Sequence, residues 1–269
     1  MAKIITDDQH YIDIATTIRE KTDSEETFKP NEMADKVVEV YDKGRHDEWS
    51  DFWDKFQNKG APGNYDYLFY CNFTLNGIGW NDDNFKPKYD IVMTSGDRAF
   101  RGCGFTDFNA ILERQGVIFD SSRATVMHLC FQNCYNLTRV PTIDVSNCPS
   151  GMSNTLFGYC GKLHTIDKLK VRDDGSTQFT EVFYGCNVLK NITFDGVIGR
   201  TISFSSSPLS IESMKDVINH LADYSAQNTG TYTLTLRDEC KIALEAEGKT
   251  SPNGNLWTEY VADLGWNLA

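Results

Sequence analysis

Eight cysteines, five histidines and 38 carboxylates are the groups in this 269-residue chain whose types could do chemistry. Cys130 and Cys134 form a C-x-x-x-C pair with His128 just upstream. A zinc site would need further donors close by, and one pair with one histidine does not supply them, so no metal is expected. His10, His46, His128, His164 and His220 are scattered without a pattern of serine, cysteine or carboxylate partners, and read as surface or packing residues. Asp144 and Asp167 are the first carboxylates to inspect as a glycosidase acid and nucleophile, a role that needs a fixed separation between them. The expectation for both is a simple solvated acid. No phosphate-binding glycine loop, nucleophile elbow, H-E-x-x-H or EF-hand loop occurs. Neither a catalytic residue nor a cofactor is therefore expected, and the chain reads as a non-enzymatic protein.

The cysteines make sense through their spacing. Phe-x-x-Cys occurs at Phe100 to Cys103, Phe131 to Cys134, Phe157 to Cys160 and Phe183 to Cys186, with cysteine steps of 31, 26 and 26. The step of 26 also superposes Leu137, Leu163 and Leu189, then Val140, Ile166 and Ile192, then Val145, Val171 and Val197. Apolar columns at a period in the twenties predict a stacked solenoid, because a unit that small cannot bury its own apolar face. One cysteine per unit reads as a column of compact buried side chains at a turn. Burial raises a thiol pKa, which argues against a cysteine nucleophile. The longer first step is explained by a short helix, Phe108 to Gln115, ending at Gly116. Phe69-Tyr70-Cys71 is a candidate start of a degenerate unit.

The segments Phe131-Gln-Asn-Cys-Tyr-Asn-Leu-Thr-Arg-Val140, Phe157-Gly-Tyr-Cys-Gly-Lys-Leu-His-Thr-Ile166 and Phe183-Tyr-Gly-Cys-Asn-Val-Leu-Lys-Asn-Ile192 resemble the BspA-like leucine-rich repeats of bacteria and their phages. The resemblance covers about residues 99 to 205 and implies a fold, not a ligand. The expected fold class is α+β: a short leucine-rich-repeat solenoid over 99–207, an N-terminal helical segment over 1–60, a connecting or degenerate-repeat segment over 61–98, and a C-terminal α/β cap over 208–269.

At the N-terminus, Thr6 to Gln9 resembles a capping box ahead of Tyr11, Ile14, Ala15 and Ile18, which predicts a helix over about 7–21. Phe28-Lys-Pro30 opens a second, with Met33, Val37, Val40 and Tyr41 on one stripe, and Trp49, Phe52, Trp53 and Phe56 continue in shifted phase. Such stripes suit a bundle seam, so a homo-oligomer, with a trimer as the guess, is expected through these helices. The pieces Ile14 to Thr22 and Phe28 to Ala34 also look like modules in tail-region structural proteins of phages and prophages of Gram-positive bacteria. Near the C-terminus, Ser210 can cap a helix bearing Ile211, Met214, Val217, Ile218 and Leu221. Tyr232 to Leu236 alternates as a strand, Asp238 can cap a helix closing near Gly248, and Leu256 to Leu264 reads as helical. The closing segment resembles that of the same phage and gut-bacterial repeat proteins.

Inside a solenoid strand, residues beside the buried columns point outward. The outward columns are Arg139, Thr165 and Asn191, then Pro141, Asp167 and Thr193, then Asp144, Lys170 and Gly196. They change charge and size from unit to unit, as a binding face must, so Arg139, Pro141, Asp144, Thr165, Asp167, Lys170, Asn191 and Thr193 are the candidate binding residues. The formal net charge of −12 has the wrong sign for a nucleic-acid binder. Part of it is local, with eight acids against four bases over residues 32–55. No run approaches the roughly 20 apolar residues of a membrane span, and the first residues hold no apolar export core. The resulting expectation is a virion tail protein, assembled in the host cytoplasm with other tail proteins and directed at a bacterial surface glycan or protein. The alternatives are a bacterial cell-surface adhesin and, less favoured, a tail-associated polysaccharide hydrolase.

Overall fold

Phenylalanine returns to one line through the molecule at positions 69, 100, 131, 157, 183 and 204. In the computed structural model, which describes residues 59–70, 80–83, 85–227 and 231–269, those six rings form one stack. Successive centroids lie 5.1, 5.2, 5.8, 6.3 and 4.7 Å apart with nearly parallel planes. All six are buried. Each ring fills the space between its neighbours, so the chain is a β-solenoid of about five turns whose coils share one dry interior. Trp80 and Phe85 close the first end, each edge-on to Phe69.

The cysteine column runs beside the rings and does more than fill space. The Cys103, Cys134, Cys160 and Cys186 thiols donate to the carbonyls of Phe69, Phe100, Phe131 and Phe157, one coil back, at 3.0 to 3.2 Å. In the later coils each of those carbonyls also accepts the N–H of its own unit's cysteine, as Phe100 does from Cys103 at 3.1 Å. The thiol is thus a second, weak donor for a buried oxygen with two lone pairs. The spatial closeness and burial of Cys134, Cys160 and Cys186 are what an interlocked interior requires.

Around Phe-x-x-Cys the backbone makes consecutive tight turns. Tyr67, Arg98, Leu129, Thr155 and Glu181 occupy equivalent places with φ between 53° and 58°, and Gly102, Asn133, Tyr159 and Gly185 form a second left-handed column. A non-glycine residue there is uncommon, and a β-branched one such as Thr155 is strained. The strain is held by a ladder between coils: the N–H groups of Arg98, Phe100 and Gly102 donate to the carbonyls of His128, Cys130 and Gln132, each at 2.9 Å. The intervening N–H groups of Ala99, Arg101 and Cys103 close local turns onto Gly96, Arg98 and Phe100.

Strands run parallel from coil to coil, in three sheets. Short β1 (Gly63–Asn64), β2 (Ile91–Ser95) and β3 (Phe119–Asp120) form the first. β4 (Arg139–Asp144), β5 (Thr165–Lys170) and β6 (Asn191–Asp195) form the second, and β7 (Ile202–Ser203), β8 (Thr233–Thr235) and β9 (Asn267–Leu268) the third. Helix α1 (Phe108–Gln115) is capped by the Asp107 carboxylate and ends at left-handed Gly116, and it packs against β4. It is the extra length that makes the cysteine step 31. Helix α2 (Ile211–Asn219), capped by Ser210, closes the other edge of the sheet with side chains: Ser213 Oγ accepts the Ile192 N–H at 2.9 Å and Asp216 Oδ2 the Phe194 N–H at 2.7 Å. An open strand edge would invite pairing with another chain, and α2 removes that option. Helices α3 (Asp238–Ala246) and α4 (Trp257–Asp263) complete the C-terminal part.

Four sequence expectations change. Asp238 is the first residue of α3, with Arg237 at the cap position, and its carboxylate instead meets Lys241 at 2.9 Å. The Tyr232 to Leu236 strand is confined to Thr233–Thr235. The last apolar column is Val145 and Val171, both buried, but not Val197, which is half-buried. β6 is one residue shorter in register: Leu169 pairs with Phe194 and Lys170 with Asp195, so the Asp144 and Lys170 column continues to Asp195, not Gly196. Gly196 instead sits at φ 99° where a Cβ would lie 2.3 Å from the Val171 carbonyl oxygen. The predicted N-terminal helices, over 7–21 and from Phe28 onward, and the assembly seam assigned to them lie outside the described residues, as does Cys71.

Candidate functional site

The eight residues expected to face outward from the sheet all lie on β4, β5 and β6, and they are engaged largely with one another. Arg139 grips Asp167 with two donors, Nε to Oδ1 at 2.8 Å and Nη2 to Oδ2 at 3.1 Å. That pair holds the Arg139 guanidinium above its ordinary pKa. Asp144 accepts the Ser146 N–H and Oγ at 2.8 and 2.6 Å, with Lys170 Nζ 3.8 Å away. Thr193 Oγ1 donates to the Asp167 carbonyl at 2.6 Å, while Thr165 and Asn191 meet beside His164. Pro141 is half-buried between them, and Thr142 and Lys168, absent from the sequence selection, are exposed. This face is a self-paired polar surface. The Asp144 and Asp167 carboxylates point into these separate partnerships, not toward a shared cleft.

The turn edge of the coils has a different character, and sequence reasoning overlooked it. Exposed rings stand along it: Tyr67 and Tyr70 on the first turn, Tyr159 and Tyr184 on the last two. Tyr159 and Tyr184 meet edge to face at 5.1 Å. Arg98 lies over the Tyr67 ring and donates to its hydroxyl at 2.6 Å, and Arg101 lies over Tyr70. Burial raises the Tyr67 phenol pKa, with Arg98 opposing. On the intervening coils Tyr135 is exposed as well, and Arg101 Nε, Gln132 Oε1 and Asn154 Oδ1 are buried atoms without a hydrogen-bond partner among the described residues. The available signal was a tyrosine beside the repeated Phe and Cys, in Phe69-Tyr70, Tyr159-Cys160 and Phe183-Tyr184.

At its far end the edge opens into a groove of about 340 Å³ between the coil of Gln178 to Glu181 and that of Arg200 to Ser203. Tyr232 forms its wall and holds Arg200 by a ring contact and a 3.0 Å hydrogen bond to the hydroxyl. The inter-coil ladder stops here: the Glu181 and Phe183 N–H groups, unlike those of Thr155 and Phe157, reach no carbonyl of the next coil among the described residues. A second hollow, about 330 Å³, lies between α2 and α3 and is mainly apolar.

Cys130 and Cys134 are buried, and burial pushes the Cys130 thiol well above its ordinary value. His128 turns to Asp97, 3.4 Å away. Among the described residues no three His, Cys, Asp or Glu side chains are grouped to hold a metal, and no helix is long and apolar enough to cross a membrane. No protein-family model, curated protein or solved structure matches the chain.

Proposed function

We propose that this chain is a tail-associated structural protein of a phage or prophage that displays its solenoid toward a bacterial cell surface and acts by binding, not by turnover. On this reading the N-terminal segment assembles copies of the chain and joins them to other tail proteins in the host cytoplasm, and the solenoid supplies the receptor-binding surface. The observation that carries it is the contrast between an interior that repeats from coil to coil and an outer edge that does not. The Phe positions stay buried in every coil and so do Cys103, Cys134, Cys160 and Cys186, while the residue after the Phe runs Tyr70, Arg101, Gln132, Gly158 and Tyr184. A scaffold with a fixed core and a varying surface is the architecture solenoids use to present a binding face. The phage origin rests on the likeness of Ile14 to Thr22 and Phe28 to Ala34 to tail-region modules.

The test is binding of the labelled full chain to intact cells from a panel of Gram-positive strains, together with light scattering of the purified protein. Strain-selective binding by an oligomer is expected. Failure to bind any strain sinks the receptor-binding role, and a strict monomer at high concentration sinks the assembly role.

A further inference from the structure

We propose that the groove between the coil of Gln178 to Glu181 and that of Arg200 to Ser203 is a binding site for a small zwitterion, one that carries a carboxylate and a primary ammonium group as a short peptide does. The site stands independently of the receptor-binding reading.

The groove is a gap with fixed walls. Phe183 and Phe204 stack at 4.7 Å, and Ser207 Oγ donates to the Cys186 carbonyl at 3.1 Å, so the two coils are joined along the core. Tyr224 pins the residue before Arg200, its hydroxyl donating to the Gly199 carbonyl at 2.9 Å. Between these ties the backbone ladder is missing, which leaves the hollow of about 340 Å³. Its walls are open to solvent: Thr180, Glu181, Thr201 and Ser203 are exposed, and Arg200 and Tyr232 half-buried.

The charges on the two walls select the ligand. On one side, Arg200 Nη1 donates to the Gly199 carbonyl at 2.9 Å and to the Tyr232 hydroxyl at 3.0 Å, with the guanidinium 5.1 Å from the centre of the Tyr232 ring. Those contacts fix the plane of the group and leave Nε and Nη2 without a partner among the described residues. That pair of donors is the fork a carboxylate accepts side-on. On the facing wall, the Glu181 carboxylate makes no hydrogen bond or ion pair among the described residues. The Glu181 N–H faces the same gap, because the equivalent Thr155 N–H crosses to the Thr180 carbonyl of the next coil at 2.9 Å.

A guanidinium and a carboxylate thus share one groove without pairing with each other. An anion meets Arg200 and is repelled by Glu181, and a cation meets the reverse. A neutral ligand strips water from both charges and gives neither a partner. A ligand with an acid at one end and an ammonium at the other satisfies both. The volume of about 340 Å³ is at the low end of the range for small-molecule sites, which suits a ligand of dipeptide size.

Titration of the isotope-labelled full chain with dialanine, followed through backbone amide resonances, tests the proposal. N-acetyl-dialanine, which lacks the cation, and dialanine amide, which lacks the anion, are the comparisons. The expected result is saturable movement of the Glu181 and Arg200 amide signals by dialanine at about 1–10 mM, with at least about tenfold weaker binding of each blocked form. Glu181→Gln, an isosteric change of an exposed side chain, should abolish the preference for dialanine over the N-acetyl form, and Arg200→Gln the preference over the amide. Arg139→Ala on the strand face should change neither. No movement at those concentrations, equal binding of all three compounds by the wild type, or an undiminished preference in a folded Glu181→Gln chain overturns the proposal. The wild-type comparison uses no variant, so it decides the matter even if Arg200→Gln fails to fold.

Discussion

Replacing Phe100 by leucine removes one rung of the ring stack while keeping most of its apolar volume, and the loss follows from what surrounds it. Phe100 is fully buried, stacked on Phe69 at 5.1 Å and Phe131 at 5.2 Å, with Phe85, Phe105, Phe108 and Phe119 at its edges. Shrinking the buried ring to an isobutyl group costs about 1 kcal/mol by itself in lost transfer and cavity energy. Each aromatic pair adds about 0.5–1.5 kcal/mol beyond its buried area, so loss of the two stacked neighbours raises the total to roughly 2–4 kcal/mol. Phe204→Leu is the internal comparison, because Phe204 stacks on Phe183 at one end of the row and loses a single pair, for a total of roughly 1–2 kcal/mol. Urea unfolding followed by circular dichroism measures both, and thermal melts provide a second reading at roughly 2–4 °C per kcal/mol for a domain of this size. Equal losses in the two variants, or a loss below about 1 kcal/mol for Phe100→Leu, would refute the claim that ring-to-ring packing couples the coils.

Alkaline pH should weaken the fold before it reaches the lysines. Burial pushes the Cys148 and Cys186 thiols up to about 12 from an ordinary value of 9.0, so the folded protein holds protons that the unfolded chain has released. The contribution is complete below pH 9 and is lost as pH rises toward 12, at about 1.4 kcal/mol per pH unit for each thiol. Unfolding midpoints across that window check it, and a flat profile from pH 9 to 11 counts against buried, neutral thiols. Asp216→Ala strips the Phe194 N–H of its acceptor at the edge of β6 and should cost about 1–3 kcal/mol, with faster hydrogen exchange at Phe194 as its local mark; unchanged exchange there would mean the helix does not close the sheet. Gly196→Ala places a methyl 2.3 Å from the Val171 carbonyl oxygen at a left-handed φ, so a drop of at least about 1 kcal/mol is expected in the same urea assay, and a neutral result would argue against the register shift in β6.

The columns of Phe, Cys, Leu and Ile were legible in the sequence because a solenoid asks the same thing of each buried position in every coil. The register shift in β6 was legible in principle. Ile192 and Phe194 are two residues apart, where Val140 and Ile143, and Ile166 and Leu169, are three apart, so a strict step of 26 could not hold through the strand. The turn geometry was only partly legible. Gly102, Asn133 and Gly185 mark the second left-handed column, but the first is filled by Tyr67, Arg98, Leu129, Thr155 and Glu181, none of them a residue that announces a positive φ. Only the ladder to the neighbouring coil imposes that conformation, and the ladder is a tertiary feature. The thiol's service as a donor to the preceding coil's Phe carbonyl was hidden for the same reason.

The choice of face turns on this distinction. Variation between coils singles out the strand surface and the turn edge equally, since both are free of the core's demands. What separates them is what a ligand would have to displace. On the strands a ligand would have to displace Arg139 from Asp167 and Thr193 from a carbonyl, exchanging hydrogen bonds already made for new ones at little net gain. Along the turn edge the exposed rings of Tyr159 and Tyr184 meet each other edge to face and stand on backbone joined by the hydrogen bond from the Tyr159 N–H to the Tyr184 carbonyl. A ligand there covers apolar ring surface already held in place without first breaking a hydrogen bond, which is where pre-organisation turns a varied surface into a binding one.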